Sequence, residues 1–324
     1  MTASVVVPVR DGERVIARCL RSLSLQDFPG EDYEIIVVDD GSTDATAKVV
    51  EQFPHVRLIA QPPLGPAAAR NRGVRAARGD IVLFTDADCA PEPGWVRNLV
   101  TGIKHSGAAG AKGTYATQQQ GLVARFVQVE YETKYRRLAR QATIDFVDTY
   151  SAAYRRSVLQ EVKGFDERFT TASVEDQELS FRVAKQGHHL VFLPGARVGH
   201  LHATTPWAYA RKKFRIGYWK PLVLKKHPSK TARDSHTPQL LKVQLALTGL
   251  LALSCGTTLL AGRIVAVPLA VAGALLISWG PFLAYAARRD PATLLVAPLL
   301  LLVRAAALGA GLVWGTLHLR RLTG

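Results

Sequence analysis

Two pairs of aspartates follow apolar stretches and could bind a charged ligand. Asp39 and Asp40 end the stretch YEIIVVDD, and Asp86 and Asp88 end the stretch DIVLFTDAD. Asp86 and Asp88 are one residue apart, so in an extended chain their side chains leave the same face and can converge on one hard cation. A divalent metal there would neutralise nucleotide phosphates and the charge that grows on a diphosphate leaving group.

The elements that would position these acids alternate between strand and helix. Apolar β-branched runs indicate strands buried on both faces, and helix-like spacing of apolar residues separates them. The predicted strands cover residues 4–9, 33–40, 56–60 and 80–88, and the predicted helices cover 13–25, 44–53 and 66–78. This order predicts an α/β fold with a largely parallel sheet and right-handed crossovers. Ligands bind such sheets outside the carboxyl ends of the strands, where both aspartate pairs fall.

Several site classes are disfavoured by the sequence. No Gly-x-Gly-x-x-Gly follows the first predicted strand and no Gly-x-x-x-x-Gly-Lys occurs, which argues against a dinucleotide oxidoreductase or a P-loop enzyme. Cys19, Cys89 and Cys255 are odd in number and widely scattered, so they suggest neither a disulfide framework nor a zinc site.

The C-terminal part of the chain is apolar enough to enter a membrane. Segments 240–261, 264–287 and 294–317 each reach the length of about 20 residues that a bilayer-spanning helix needs. We interpret them as about three transmembrane helices; a buried helical hairpin of a soluble domain is the alternative. Lys242 can extend to the interface, but Arg304 would lie mid-span, where its charge is costly unless it faces protein or water.

The net charge of +15 is concentrated directly before the first of these segments. Basic residues there attract anionic lipid headgroups and keep their flank in the cytoplasm, so we expect a multi-pass cell-membrane protein with a cytoplasmic N-terminal domain. Nucleic-acid binding is the alternative reading of the charge. The cluster contains one acid, Asp234, and the basic residues Arg211, Lys212, Lys213, Arg215, Lys220, Lys225, Lys226, Lys230, Arg233 and Lys242.

Three further features bear on the membrane prediction. The N-terminus has no basic region followed by a long apolar run, so no signal peptide is expected. Three crossings would place Arg320 and Arg321 outside, against the positive-inside tendency. Residues 121–140 read as an amphipathic helix that lies on the membrane surface or is an ordinary surface helix.

We therefore expect three regions: an N-terminal α/β domain (1–210), a basic juxtamembrane segment (211–239) and about three transmembrane helices (240–318).

Several motifs together resemble a known family. The runs SVVVPVRDGERVIARCLRSLSLQDFPGEDYEIIVVDDGSTDAT, GPAAARNRGVRAARGDIVLFTDADC, KGFDERF, VEDQELSFRVAKQG and ARVGH are similar, in order and spacing, to family 2 glycosyltransferases with a GT-A fold, over about residues 4–202. The resemblance implies an inverting transferase that uses a nucleotide-sugar donor and a divalent metal, Mn²⁺ or Mg²⁺.

The resemblance assigns roles around the nucleotide. Pro8 and Arg10 would line the nucleoside pocket, Asp40 would hydrogen-bond the base, and Asp39 would shape the loop. The alternative is that Asp39 and Asp40 only cap the helix that begins near Asp44.

The donor and metal would be held further along the chain. Arg70 and Asn71 match the family's ARN element, which approaches the donor; the Arg70 guanidinium suits phosphate or sugar hydroxyls but could equally pair with surface acids. Asp86 and Ala87 would bind the nucleotide sugar, and Asp86 and Asp88 the metal.

Glu175 and Asp176, in VEDQEL, match the family's Glu-Asp motif, in which the aspartate takes the proton from the acceptor hydroxyl. An acid that only stabilises a helix start is the alternative. His200, in VGH, falls where similar enzymes have a third metal ligand, whereas His202 is a second candidate.

The resemblance also limits the reaction. Processive synthases of the family carry Gln-x-x-Arg-Trp, whereas the comparable stretch here reads KKFRIGYWKP. We therefore expect transfer of a single sugar to an acceptor that is a saccharide or, given the membrane helices, lipid-linked, in envelope glycan or polysaccharide synthesis. A processive polysaccharide synthase and a non-catalytic membrane scaffold that retains the fold are the alternatives.

Overall fold

The computed structural model describes residues 2–171, 173–231, 234–235, 237–261 and 265–318. The chain divides into two compact units: the first comprises Met1–Gln118 and Tyr135–Leu201, the second Gln119–Lys134 and His202–Gly324. The predicted division at residues 210 and 239 stays a prediction. Of the residues named above, Arg233, Arg320 and Arg321 lie outside the described residues, as does residue 264, where the second predicted membrane segment begins.

The first unit is an α/β domain in which strands and helices alternate through its N-terminal half. Its elements in chain order are β1 (Ala3–Val9), α1 (Ile16–Ser24), β2 (Tyr33–Asp40), α2 (Thr46–Val50), β3 (Val56–Gln61), α3 (Pro66–Ala76), β4 (Ile81–Phe84), β5 (Cys89–Pro91), α4 (Trp95–Ser106), β6 (Gly110–Ala116), the end of α5 (Leu122–Leu138), β7 (Ala152–Arg155), α6 (Arg156–Glu161), α7 (Glu175–Lys185) and β8 (Leu190–His200).

These strands form one mixed sheet with the order β3-β2-β1-β4-β7-β6-β8-β5. Strands β1 to β4 pair in parallel, whereas β7 is antiparallel to both of its neighbours and β5 is antiparallel to β8. The central strand β1 is buried on both faces, as its continuous valine run predicts. The predicted α/β fold with a mostly parallel sheet is therefore confirmed.

Several element boundaries differ from the prediction: α1 begins at Ile16 rather than at residue 13, and α3 ends at Ala76 rather than at residue 78. Helix α2 ends at Val50 rather than near residue 53, because Pro54 disfavours helical backbone at the residue before it. Strand β4 ends at Phe84, and the Cys89 N–H donates to the Asp86 carbonyl over 3.0 Å. The aspartates of this segment therefore lie in a turn, and the extended conformation expected for them is absent.

The second unit is helical. It contains the first part of α5, together with α8 (Pro206–Lys226), α9 (Gln239–Ala261), α10 (Ala266–Arg289) and α11 (Ala297–His318). Three helices, α9 to α11, are long and apolar enough to cross a membrane, in agreement with the three predicted segments. Phe126 of α5 is buried in an apolar cluster with Tyr209 of α8 and Leu300 of α11. The apolar side chains at this end of α5 thus pack against protein.

Candidate active site

Two loops at the carboxyl ends of β1 and β2 are bonded to each other. The Asp11 N–H donates to Ser42 Oγ over 2.9 Å, and the Thr43 N–H donates to Asp11 Oδ1 over 2.8 Å. Asp39 accepts the Ser42 N–H over 2.9 Å; its role in shaping the nucleoside loop stays a prediction. Asp11, with φ at 50°, adopts left-handed backbone, which is uncommon outside glycine. Sequence reasoning did not single out Asp11, although DGE after a strand is a turn signal.

Asp40 is 4% exposed and holds the loop before α3. Its carboxylate accepts hydrogen bonds from Gln61 Nε2 at 2.7 Å and from the backbone N–H groups of Leu64 and Gly65 at 2.9 Å each. Since a carboxylate has about four acceptor positions, three of them are already used. Recognition of a nucleobase by Asp40 stays a prediction.

The start of helix α2 is bonded by another residue, although the N-cap residue itself, Ala45, makes no side-chain cap bond. Asp44 Oδ1 accepts the Thr46 N–H over 2.9 Å at the start of that helix. The alternative in which Asp39 and Asp40 serve as its caps is therefore not what the structure has. Pro8 lies half-buried near the end of β1, and Arg10 follows it with an exposed side chain 3.8 Å from the Asp11 carboxylate. Their roles at the nucleoside also stay predictions.

Arg70 joins two of the predicted acidic motifs. Its Nη2 donates to Asp86 Oδ1 over 2.9 Å and its Nη1 to Glu175 Oε1 over 2.7 Å. The Arg70 side chain is 3% exposed, so it pairs with acids, as the alternative above allowed, from a buried position; Glu175 is buried too, whereas Asp86 is partly exposed. Burial disfavours the guanidinium charge, but the attraction of Asp86 and Glu175 outweighs it and raises the pKa of Arg70. A permanently charged, rigidly held cation results.

Asn71 contacts a different segment. Its Nδ2 donates to the Phe165 carbonyl at 2.9 Å and to Glu167 Oε1 at 2.8 Å, and its Oδ1 accepts the Phe165 N–H at 2.7 Å. Asn71 therefore fixes the loop before α7, and a contact with the donor stays a prediction.

Strand pairing brings His200 to the aspartate turn. Cys89 of β5 lies opposite His200 of β8 in the antiparallel register, and His200 Nε2 is 3.8 Å from Asp88 Oδ2. Among the described residues, ligand atoms of Asp88, Cys89 and His200 all lie within 4.8 Å of one another. Asp86 is not in this group, because its carboxylate pairs with Arg70 on the other side of the turn.

The donor set of this group suits a borderline divalent cation. Burial, together with the charges of Asp86 and Asp88, raises the pKa of the Cys89 thiol well above its ordinary value, so the thiol is protonated while no cation is bound. A half-exposed carboxylate and an imidazole complete the group, and both are ligands that divalent cations accept. The ligand roles of Asp86, Asp88 and His200 stay predictions.

His202 has a different setting. It belongs to the second unit, where its Nε2 atom lies 2.9 Å from Gln128 Oε1. Its ring stacks on the Tyr131 ring, with the two ring centroids 5.6 Å apart. Of the two candidate histidines, His200 is the one placed against an aspartate.

The Glu-Asp motif opens α7, and its two acids differ in access. Glu175 is 3% exposed; Oε1 accepts from Arg70 and Oε2 accepts the Ser173 N–H over 2.7 Å. Asp176 is half-buried, and its carboxylate accepts the N–H groups of Gln177 at 2.8 Å and Thr149 at 3.3 Å. Asp176 thus serves the helix start, but it is also the more accessible acid of the two.

A buried lysine behind Asp176 was missed by sequence reasoning. Lys112 of β6 is fully buried; it forms an ion pair with Asp148, and its Nζ donates to Tyr150 Oη over 3.0 Å. Burial lowers the pKa of Lys112 well below its ordinary value, although the nearby charge of Asp176 opposes this. A single lysine in a strand with the sequence GAKGTYA gives no sequence signal that it would be buried in an ion pair.

Comparison with known proteins gives a consistent result. Residues 4–163 match the family model described as Glycosyl transferase family 2. The chain is 31% identical over 214 residues to the Probable glycosyltransferase YdaM of Bacillus subtilis, covering 60% of this chain and 49% of that protein. It is 32% identical over 240 residues to the Pre-mycofactocin glycosyltransferase of Mycobacterium tuberculosis, covering 71% and 49%. The chain thus spans about half the length of these relatives.

Two solved structures share the fold. The mannosyltransferase PcManGT from Pyrobaculum calidifontis, in complex with GDP-Man and Mn²⁺, superposes with a TM-score of 0.61 at 22% identity, covering 97% of this chain and 86% of that one. Residues 1–349 of TarS from Staphylococcus aureus give a TM-score of 0.51 at 20% identity, covering 100% and 92%. The GT-A fold expected from the motifs is thereby confirmed.

Proposed function

Because residues 4–163 belong to glycosyl transferase family 2, we propose that this protein is an inverting glycosyltransferase that moves one sugar from a nucleotide-sugar donor to an acceptor hydroxyl. The observation that carries the proposal is the bridge made by Arg70, whose two Nη atoms bind Asp86 of the aspartate turn and Glu175 of the Glu-Asp motif. One rigid cation thereby fixes the relative positions of a donor-side turn and the start of α7.

Asp176 is proposed as the general base. Its carboxylate would take the proton of the acceptor hydroxyl while the acceptor oxygen forms a bond to the anomeric carbon. The bond from that carbon to the diphosphate oxygen breaks on the opposite face, and the nucleoside diphosphate leaves with the electron pair. The half-buried position of Asp176 and the hydrogen bond from the Thr149 N–H keep it oriented and accessible.

Asp88 and His200 would hold a divalent cation, Mn²⁺ or Mg²⁺. When bound, this cation supplies positive charge that stabilises the diphosphate leaving group. Arg18 supports the turn, since its Nη2 donates to the Asp88 carbonyl over 3.1 Å.

The acceptor is proposed to be lipid-linked, with the catalytic domain in the cytoplasm at the cell membrane and the product entering envelope glycan. Three long apolar helices support an anchor in the bilayer, and the basic stretch before them supports the cytoplasmic orientation. An enzyme with a freely diffusing acceptor would gain little from that anchor.

The proposal is tested by a donor screen. The purified protein in detergent, with Mn²⁺, is given UDP-, GDP- and dTDP-sugars, with and without extracted polyprenyl lipids, and release of nucleoside diphosphate is measured. We expect release with one donor only, dependent on both the metal and the lipid.

The controls separate the alternatives. Lipid products that carry one sugar support single transfer, whereas a ladder of longer products would indicate a processive synthase. A folded protein that binds a donor by calorimetry but releases no diphosphate with any acceptor would favour the scaffold and contradict the proposal.

A further inference from the structure

The second unit contains a helix whose exposed face combines aromatic and basic side chains. Trp207 of α8 is 78% exposed and Phe214 is 37% exposed. Arg211 and Arg215 are exposed and follow Trp207 at intervals of four residues, so they share its face, and the exposed Lys212 borders it. An amphipathic ring beside cationic side chains is typical of the headgroup layer of a membrane.

The opposite side of α8 packs along α11, which is one of the three apolar helices. Gly311 and Gly315 let the backbones touch, since a Cβ at Gly311 would lie 2.2 Å from the Phe214 carbonyl oxygen, and one at Gly315 would lie 2.0 Å from that of Tyr218. A Cβ at Gly217 would likewise lie 2.3 Å from the Leu308 carbonyl oxygen. The two helices are therefore fixed against each other.

The contact continues toward the start of α11. Tyr209 shares an apolar cluster with Ala297 and Leu300, and Lys213 and Arg304 share Glu130 at 2.7 and 3.4 Å. From residue 297 to residue 315 an α-helix rises about 27 Å, close to the about 30 Å of the hydrocarbon core. If α11 crossed the bilayer, α8 would lie beside it at hydrocarbon depth, with its arginines in lipid.

The helices α9 and α10 differ from α8, although α11 also exposes large apolar side chains, such as Val313 at 62% and Leu317 at 59%. Helices α9 and α10 contact each other, with Gln244 Nε2 donating to the Ser278 carbonyl over 3.1 Å, and they expose large apolar side chains along their length. Leu253 is 65%, Leu260 91% and Ile277 80% exposed. Exposed leucines without accompanying charges fit acyl chains, not headgroups.

From these observations we propose that the exposed face of α8 binds the anionic headgroup layer of the bilayer, and that α11 lies with α8 at that surface, so that the chain crosses the membrane only through α9 and α10. This inference rests on the proposed membrane anchoring. Two crossings place the basic C-terminal residues Arg320 and Arg321 on the same side as the stretch before α9. The conflict with the positive-inside tendency that three crossings create is thereby removed.

The topology is tested by cysteine labelling of the full chain. The background is Cys255→Ser, because Cys19 and Cys89 are buried. Single cysteine probes are introduced as Lys104→Cys in the first unit, Val265→Cys before α10 and Gly324→Cys at the C-terminus. Sealed right-side-out vesicles and sealed inside-out vesicles are then each treated with an impermeant maleimide, so that labelling reports the side on which each probe lies. We expect Lys104→Cys and Gly324→Cys to label from one side and Val265→Cys from the other.

Each deviation from this pattern has a defined meaning. If Gly324→Cys labels from the same side as Val265→Cys, α11 crosses the bilayer and the inference is overturned, while the proposed anchoring stands. If all three probes label from one side, no helix crosses, and both the inference and the proposed anchoring fail.

The headgroup contact is tested with a fluorophore. An environment-sensitive bimane is placed on Ala208→Cys, an exposed position beside Trp207, and the protein is reconstituted into phosphatidylcholine liposomes with or without phosphatidylglycerol. We expect a blue shift that requires phosphatidylglycerol and is lost in the triple variant Arg211→Gln, Lys212→Gln, Arg215→Gln.

The matched control removes three exposed charges of the first unit, Arg75→Gln, Lys104→Gln and Lys185→Gln, and should keep the blue shift. A blue shift of equal size in pure phosphatidylcholine, or one unaffected by the α8 triple variant, would contradict an anionic headgroup partner.

Discussion

Arg70 in the first unit and Arg304 in the second are both buried, and each is held by two oxygen-bearing partners. Arg70 binds Asp86 and Glu175, whereas Arg304 binds Gln244 at 2.7 Å and Glu130 at 3.4 Å. The partners differ in access: the Asp86 side chain is 33% exposed, but that of Glu130 is 16% exposed and is also bound by Lys213. One cluster opens to solvent through an acid, while the other is closed.

This difference in solvent access distinguishes a cluster that can meet a ligand from one that only holds helices together. In the first cluster, the cation holds acids whose remaining oxygens can meet a ligand, and the half-buried Asp176 lies beside it. In the second, Glu130, Lys213, Arg304 and Gln244 bind one another and connect helices of a single unit. Similar ionic chemistry therefore gives two expectations: substitutions in the first cluster should affect activity, and those in the second should affect stability alone.

The largest effect on activity is expected for Asp176→Asn. The amide keeps the shape of the side chain but cannot take the acceptor proton, so transfer should fall about 1,000-fold while donor binding and thermal stability stay unchanged. Transfer rate, donor calorimetry and thermal unfolding are measured together. Full activity in this variant would remove Asp176 from the role of base.

Arg70→Met should damage both stability and activity. It leaves the buried Glu175 without its cation, which costs about 3–5 kcal/mol of unfolding free energy, and it frees the aspartate turn from α7. Denaturant unfolding of the purified protein and the transfer rate are the measurements. A stable but inactive variant would show that Arg70 acts on the donor and is dispensable for holding the fold.

Arg304→Met should lower stability without an intrinsic effect on transfer. The loss should be smaller, about 1–3 kcal/mol, because Glu130 keeps its ion pair with Lys213. Thermal unfolding in detergent and the rate per folded protein measure the two effects. A rate that falls together with the Arg70 variant would contradict the separation between the two clusters.

Asp88→Asn and His200→Ala should weaken Mn²⁺ binding by at least about tenfold, since loss of a ligand should exceed the effect usually seen for an outer-shell residue. Calorimetric titration of the metal measures this, with Asp27→Asn as a control at an exposed ion pair. Asp86→Asn is the informative comparison, because an unchanged Mn²⁺ affinity in this variant would show that the Asp86 carboxylate serves only its ion pair with Arg70. Unchanged affinity in the Asp88 and His200 variants would remove the metal site.

The smallest effect is a pH dependence of the second cluster. Burial disfavours the charge of Glu130, but Lys213 and Arg304 outweigh it and lower the pKa of Glu130 from 4.5 to about 2. Because the folded-state pKa is depressed, this stabilisation is complete above pH 4.5 and is lost as the pH falls toward 2. Melting temperatures at pH 6, 4.5 and 3 should fall more steeply in the parent protein than in Glu130→Gln. Equal slopes would contradict the lowered pKa; the exposed Glu51→Gln should behave like the parent.

The N-terminal half of the fold was predictable because its signals are local. Continuous apolar runs such as SVVVPV and YEIIVVDD, each followed by helical periodicity, led to β1 through β4 in order, and the aspartates fell near strand ends as expected. The later strands were not predicted: β5 has three residues and β7 four, which is too short for periodicity to register. The longer β6 and β8 are interrupted by glycine and, in β8, by proline, which are both depleted in strands. Their partners, moreover, are distant in sequence.

The sequence by itself determined the fold class, the family motifs and the three apolar helices, because each of these depends on patterns among residues that are close together in the chain. Only the tertiary structure decided how the chemistry is shared. In the folded chain, the aspartate turn places Asp86 against Arg70 and Asp88 near His200. Lys112 is buried against Tyr150. The tertiary structure also gave Arg304 protein partners. The physical reason is that a charge takes its pKa and its role from whatever surrounds it, and those surroundings are assembled from residues far apart in the chain.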